Sequence, residues 1–282
     1  MRVLTNINSL NQLLENCRVS NKSIGFVPTM GALHEGHLSL VKLAHKDCDI
    51  VVCSIFINPT QFNDSNDLEN YPITIEEDIK LLEEQSCDIL FLPNVTEMYP
   101  QGLNTKQYQL NGIDKVLEGR KRPGHFDGVC TIVHRLFSIV KPNTAYFGEK
   151  DFQQVAVIRQ MVNSLSLTVQ IKTGETIREK DGLAKSSRNT LLSVSQRQKA
   201  TYVYASLQKI KSLYGKVDCT QLKEMIKDDF NQVQDMQLDY VEIVNPHSLR
   251  PLKGKGIKEE AVALMAVFLG KVRLIDNLSL ND

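Results

Sequence analysis

The chain has 282 residues, 42% of them hydrophobic and 23% charged, an ordinary globular composition long enough for one large domain or two smaller ones. Lys plus Arg and Asp plus Glu each number 33, so net charge selects neither nucleic acid nor a membrane surface, and any anion site must be built locally. Six scattered cysteines (17, 48, 53, 87, 130, 219) include no C-x-x-C pair, which points to reduced thiols rather than disulfides or zinc.

Residues 1–8 lack the apolar core of a signal peptide, and the longest apolar runs, near 51–57 and 261–269, are too short to span a bilayer. A cytoplasmic protein is expected. Residues 2–20 read as a short strand and a helix, with Leu10, Leu13 and Leu14 at helical spacing. A buried strand at 24–27 is broken by Pro28 and Gly31, and apolar residues recur at helical spacing from Leu38. A strand, a Gly-containing turn and a helix N-terminus gather backbone N–H groups at one spot, where α/β proteins bind phosphate.

Residues 49–57, mostly apolar and β-branched, suit a central parallel strand that ends in the polar loop Asn58-Pro59-Thr60-Gln61-Phe62. Thr74 stands three residues before Glu77, a capping-box pattern for a helix with Ile75, Ile79 and Leu82 on its apolar face. A strand at 89–92, a turn-rich stretch at 94–126, a helix at 128–139, a strand at 144–147, a helix at 152–164 and a strand at 168–172 follow. This alternation predicts an α/β fold with a doubly wound parallel sheet over residues 1–175. A polar loop at 173–190 marks a composition shift. Beyond it, Ser193 to Gln196 cap a helix to about 214, followed by a helix at 220–233 and strands at 238–244 and 261–268. A smaller α+β domain over 176–282 is the expectation.

Four clusters carry candidate chemistry. His34 and His37 share one face of a helical turn. Zinc would need H-E-x-x-H spacing or a third ligand, so contact with nucleotide phosphates and a pair of surface histidines are the readings left open. Phe147-Gly148-Glu149-Lys150-Asp151-Phe152-Gln153-Gln154 again follows a strand and opens a helix; Lys150 offers a point charge, while Asp151 suits a cap. Ala184-Lys185-Ser186-Ser187-Arg188-Asn189 reads either as a mobile polyanion clamp or as a linker. Gln61 and the acidic Glu76-Glu77-Asp78 complete the set; the acids fit either Mg²⁺ or the helix dipole.

Pro28 to His37, Phe56 to Phe62, Gly124-His125-Phe126-Asp127-Gly128-Val129, Phe147 to Asp151 and Ser186-Ser187-Arg188-Asn189 occur in one order across nearly the whole chain. Together they resemble the pantothenate synthetase (pantoate–β-alanine ligase) family of the His-x-Gly-His nucleotidyltransferase superfamily. The His-x-Gly-His element is shared across that superfamily and fixes only the class; Asn58 to Phe62 with Gly148 to Asp151 is far more specific.

The resemblance implies a Rossmann-like domain binding ATP and pantoate, a small C-terminal lid domain, and a cytoplasmic homodimer. It implies that ATP, (R)-pantoate and β-alanine become pantothenate, AMP and diphosphate through a pantoyl adenylate. By matching motif, Met30, Gly31, Ala32, Leu33, His34, Glu35, Gly36 and His37 line the ATP site, with His37 as proton donor. Gly148, Glu149, Lys150, Asp151, Ile177, Lys185, Ser186, Ser187 and Arg188 also contact ATP. His34, His37, Lys150 and Arg188 form the catalytic set. Gln61 and Gln154 hold pantoate, Gln61 also β-alanine, and Asp78 is a candidate Mg²⁺ ligand. Lys185 departs from the family's usual apolar residue, leaving a phosphate contact and a solvent-facing role both open.

A carboxylate attacking the α-phosphate brings two anions together, and each charge-assisted hydrogen bond that screens them is worth about 1.5–3 kcal/mol. Two other readings remain: a nucleotidyltransferase of the same superfamily acting on another acceptor, and a nucleotide-binding protein without turnover. The first leaves Gln61 and Gln154 without a purpose, and intact His37, Lys150 and Arg188 argue against the second.

Overall fold

Strand order places the candidate site. The computed structural model describes residues 1–256 and 259–281; Ile257, Lys258 and Asp282, which fall in the expected C-terminal domain, lie outside them. The elements before residue 176 are β1 (Arg2–Leu4), α1 (Ile7–Val19), β2 (Ile24–Thr29), α2 (Glu35–Asp47), β3 (Ile50–Ile55), α3 (Ser65–Glu69) and α4 (Ile75–Glu84). They continue with β4 (Ile89–Phe91), α5 (Val95–Met98), α6 (Leu117–Lys121), α7 (His125–Val140), β5 (Thr144–Gly148), α8 (Phe152–Ser164) and β6 (Gln170–Gly174). The six strands form one parallel sheet in the order β1-β4-β3-β2-β5-β6. The chain winds outward from β2 to β3 and β4, then returns to β5 and β6 on the other side. The order reverses between β2 and β5, the switch point where open α/β sheets bind ligands beyond the strand ends.

Both faces of the sheet are covered, so neighbouring residues of each central strand enter different cores, as a period of two requires. Phe26, Val52 and Ala145 pack with Leu10, Val133 and Ile158 on one face. Val27, Cys53 and Tyr146 pack with Val41, Ala44 and Leu82 on the other.

Several local expectations change. The strand expected to break at Pro28 runs on to Thr29, because Pro28 pairs with Ser54 of β3 while the β5 pairing covers only Gly25 and Phe26. No ladder on the β5 side needs the missing N–H there. Pro59–Gln61 is a turn of 3-10 helix rather than plain loop, and the stretch 94–126 contains α5 and α6. The capping box at Thr74 does not form; the Thr74 hydroxyl donates to Asp78 Oδ1 instead, at 3.1 Å.

The chain divides by its internal packing into Met1–Glu149 with Gln153–Glu175, and Lys150–Phe152 with Thr176–Asp282. The second unit holds α9 (Val194–Leu213), α10 (Cys219–Asn231), β7 (Met236–Val244), β8 (Val262–Leu269) and β9 (Val272–Ser279), the strands antiparallel in the order β7-β8-β9. The Ser193–Gln196 capping box does form. Strand β9 was not expected. Its signal is the two-residue hairpin Gly270-Lys271, with Gly270 at φ +59°, but Arg273, Asp276 and Asn277 dilute the apolar pattern of the strand. The expected loop at 173–190 contains an Arg178–Ala184 β-bridge and leads into a 3-10 helix at Ser187–Leu191.

Candidate functional site

The turn between β2 and α2 places two successive residues in the left-handed region, Gly31 at φ +85° and Ala32 at φ +49°. Glycine adopts this freely, whereas alanine pays roughly 1–2 kcal/mol and must be held there. Asp78 holds it. This carboxylate is fully buried; its Oδ2 accepts from the Ala32 N–H at 3.0 Å, and Oδ1 accepts from the Leu33 N–H at 2.8 Å and from Thr74. A buried carboxylate is sustained by such donors. Asp78, a candidate Mg²⁺ ligand by resemblance, braces this turn with both oxygens engaged by it.

The His-x-Gly-His spacing has a local cause. His34 is the N-cap of α2, its Nδ1 accepting from the Gly36 N–H at 3.1 Å, while His37 Nδ1 accepts from the His34 N–H at 3.3 Å. The ring centroids lie 4.1 Å apart. A Cβ on Gly36 would stand 2.8 Å from the His34 ring, so glycine leaves room for the capping imidazole. A neutral imidazole nitrogen that accepts carries no hydrogen, so this network assigns the hydrogen of both neutral rings to Nε2. The His37 N–H donates to His34 O at 2.8 Å, and the Gly31 N–H to Thr29 Oγ1 at 3.2 Å. The backbone N–H groups of Gly31, Ala32, Leu33, Gly36 and His37, expected to cradle phosphate, therefore already have acceptors.

A second network orients Gln61. Tyr99 Oη donates to Asn58 Oδ1 at 2.6 Å, and Asn58 Nδ2 donates to Gln61 Oε1 at 3.1 Å and to Gly128 O at 3.2 Å. Gln61 Nε2 points to Met30 Sδ at 2.9 Å, and His125 Nδ1 bonds the Gln61 carbonyl at 2.7 Å. A Cβ on Gly128 would run into the Thr60 carbonyl, which explains the glycine in the α7 motif. Burial, more than any neighbour, pushes the Tyr99 phenol above its ordinary value, keeping it a donor. Met30 and Gln61 are thus brought together. Gln154, half-buried at the start of α8, is not part of this network. Its neighbour Gln153 is buried and fully used, accepting from Glu118 N and donating to the carbonyls of Ile113 and Val116. Asn58 and His125 lie inside motifs already singled out, but only the fold shows their role; Tyr99 had no sequence signal.

At the end of β5 a Cβ on Gly148 would meet nothing within 4 Å, so the protein's own packing does not require this glycine. Glu149 Oε1 accepts from the Thr173 hydroxyl at 2.8 Å. In the second unit, Lys150 Nζ lies 3.9 Å from Asp151 Oδ2, and Ile177 O accepts from Lys185 N at 2.9 Å. The Lys185 ammonium lies 3.3 Å from Glu179 Oε1, an intramolecular ion pair that the sequence did not suggest. Ser186 Oγ accepts from the Arg188 N–H at 3.3 Å and caps the 3-10 turn that carries Ser187 and Arg188, all three half-buried. The expected clamp is an ordered turn, not an open linker.

Among the described residues no group of three or more His, Cys, Asp or Glu side chains could hold a metal ion. No helix among the described residues is long and apolar enough to cross a membrane.

The sequence profile of the family described as "Pantoate-beta-alanine ligase" matches residues 2–279. A "Pantothenate synthetase" of Fervidobacterium nodosum is 46% identical over 283 residues, covering all of both chains. The crystal structure of pantothenate synthetase from Thermus thermophilus superposes with a TM-score of 0.93 at 40% identity, over the full length of both chains. A Francisella tularensis pantoate–β-alanine ligase, described as complexed with beta-gamma ATP and beta-alanine, gives a TM-score of 0.82 at 37% identity, covering 99% of this chain and 98% of its own. The chain belongs to the pantoate–β-alanine ligase family, enzymes that join their two substrates through a new carbon–nitrogen bond.

Proposed function

We propose that the chain condenses (R)-pantoate with β-alanine at the expense of ATP, releasing AMP and diphosphate by way of a pantoyl adenylate. The observation that carries this reading is the turn after β2, which fixes the His34 and His37 imidazoles side by side and is linked to Gln61 through Met30. A pantoate carboxylate oxygen attacks the α-phosphorus as the bond to diphosphate breaks. The amine of β-alanine then attacks the acyl carbon, AMP leaves, and the amine loses a proton. His34 and His37 donate from Nε2 to phosphate oxygens as charge builds there. His37, implied as proton donor, acts in this reading as a neutral hydrogen-bond donor.

Lys150 and Arg188 stabilise the developing charge on the phosphates, with Ser186 and Ser187 as further donors. Gln61 and Gln154 bind the hydroxyls of pantoate, and Gln61 also serves β-alanine. Its locked amide favours a substrate whose polar groups match, because a mismatched one leaves buried groups unpaired. The open space above Gly148 suits close approach of a nucleotide. Mg²⁺ would arrive with the nucleotide's phosphates, and no step is assigned to it. The family relationship also supports a cytoplasmic homodimer, which sedimentation of the purified chain tests.

The test is an assay of pantothenate, AMP and diphosphate with each substrate omitted in turn. Equal amounts of all three, requiring both pantoate and β-alanine, are expected. AMP formed without pantoate, or nucleotidylation of another acceptor, overturns the reading.

A further inference from the structure

Strand β9 carries polar residues that neither the core nor the steps above use. Asp276 is buried, its side chain 2% exposed, and forms a two-pronged pair with Arg178 at 2.7 and 3.0 Å. Arg178 also donates to the carbonyls of Gly182 at 3.0 Å and Asn277 at 3.1 Å, so four of its five N–H groups have partners. Its guanidinium stacks 4.0 Å from the Tyr204 ring centroid. Buried ion pairs contribute little net stability relative to apolar packing, and their clearest use is to fix one geometry among several.

The geometry fixed here is a small hairpin. Arg178 bridges Ala184, Glu179 N donates to Leu183 O at 2.8 Å and Lys185 N to Ile177 O at 2.9 Å. The chain passes directly from this hairpin into Ser186, Ser187 and Arg188, and Asn189 Nδ2 ties the turn back to Ala184 O at 3.0 Å. The next residue of β9 grips a different segment: Asn277 Nδ2 donates to Lys150 O at 2.9 Å. Successive side chains of a strand point to opposite faces, so one strand holds both cation-bearing segments, one from each face.

We propose that Asp276 and Asn277 are positioning residues for the phosphate-handling cations, Asp276 acting through Arg178 on the segment that carries Arg188 and Asn277 acting on Lys150. This rests on the ligase reading above for what the cations do, but the anchoring itself does not. Neither residue touches substrate. Each sets the backbone from which a cation reaches it, and a displacement of about 1 Å at such a group costs on the order of a hundredfold in rate.

The experiment combines amide hydrogen exchange of the full chain with steady-state kinetics for Asp276→Asn, Asn277→Ala and Asn277→Gln. Asp276→Asn is expected to raise exchange across residues 177–189 at least tenfold while leaving residues 30–38 unchanged. Asn277→Ala is expected to lower kcat for pantoate-dependent diphosphate release roughly five- to tenfold, with less than a twofold change in the KM for ATP. Asn277→Gln, which keeps an amide donor, restores part of that loss. In a Lys150→Ala background Asn277→Ala adds no further loss, because its effect runs through Lys150. Unchanged exchange in Asp276→Asn, or an equal loss from Asn277→Ala with and without Lys150, overturns the proposal. Should Asp276→Asn fail to fold, the Asn277 cycle decides alone. A wild-type chain that makes no pantothenate removes the ligase reading instead, and the exchange result still decides the anchoring.

Discussion

The turn after β2 and the hairpin before Arg188 are two regions proposed to handle the same phosphates, and they are built in opposite ways. The first is braced from nearby: His34, Gly36 and His37 hold one another within four residues, and the farthest brace, Asp78, is 46 residues away. The second is braced from far along the chain, by Asp276, 98 residues from Arg178, and by Asn277, 127 residues from Lys150. Local bracing shows in sequence as a short motif; distant bracing shows only once the fold is known. The difference also separates effects, since loss of the Asp78 brace is expected to cost both stability and chemistry, whereas loss of the single Asn277 amide contact falls mainly on chemistry.

The largest expected effect breaks the first region. Asp78→Ala strands the half-buried N–H of Ala32 and the buried N–H of Leu33 and leaves Ala32 unsupported in the left-handed region, a loss of about 3 kcal/mol or more in denaturant unfolding, with activity lost as well. A change below about 1 kcal/mol contradicts the brace. Next is Gly36→Ala, which displaces the His34 ring: pantoate-dependent diphosphate release falls on the order of a hundredfold, while stability falls by only about 1 kcal/mol. Equal damage to both would make Gly36 a folding residue only.

Lys185→Ala sharpens the contrast from the other side. Its ammonium already has Glu179, and a half-exposed pair contributes only about 0–1 kcal/mol, so kcat and the KM for ATP shift less than about threefold. A loss as large as that of Lys150→Ala makes it a phosphate ligand after all.

The smallest effect is one of pH. Burial raises the phenols of Tyr99 and Tyr146 above 10.0, so above that pH the unfolded chain releases protons that the folded chain retains. Folding stability is therefore whole below pH 10 and falls as pH rises toward the raised folded values. Tyr99→Phe makes that alkaline fall shallower, measured by thermal unfolding across the alkaline range; an unchanged slope removes Tyr99 as a contributor.

Much of the first region was legible in the sequence. The apolar runs at 24–27 and 49–57 signalled buried parallel strands, and the pairing of both sheet faces follows from their lack of alternation. The histidine spacing was visible, but its cause was not: capping geometry depends on where the helix begins, and the apolar periodicity, which sets in only at Leu38, does not mark its start at Glu35. The bracing role of Asp78 was not legible, because its partners are backbone N–H groups far along the chain, to which side-chain patterns are blind. Strand β9 escaped for a related reason. Asp276 and Asn277 interrupt its hydrophobic pattern because they serve another segment, and a pattern based on core packing reads such residues as loop.

The adenylate route is tested most directly by carrying out the reaction with pantoate labelled with ¹⁸O in both carboxylate oxygens. Attack of that carboxylate on the α-phosphorus leaves one labelled oxygen bridging to AMP, so the product AMP carries one ¹⁸O and pantothenate keeps the other. Unlabelled AMP, or label found in diphosphate or phosphate, contradicts activation of pantoate as its adenylate.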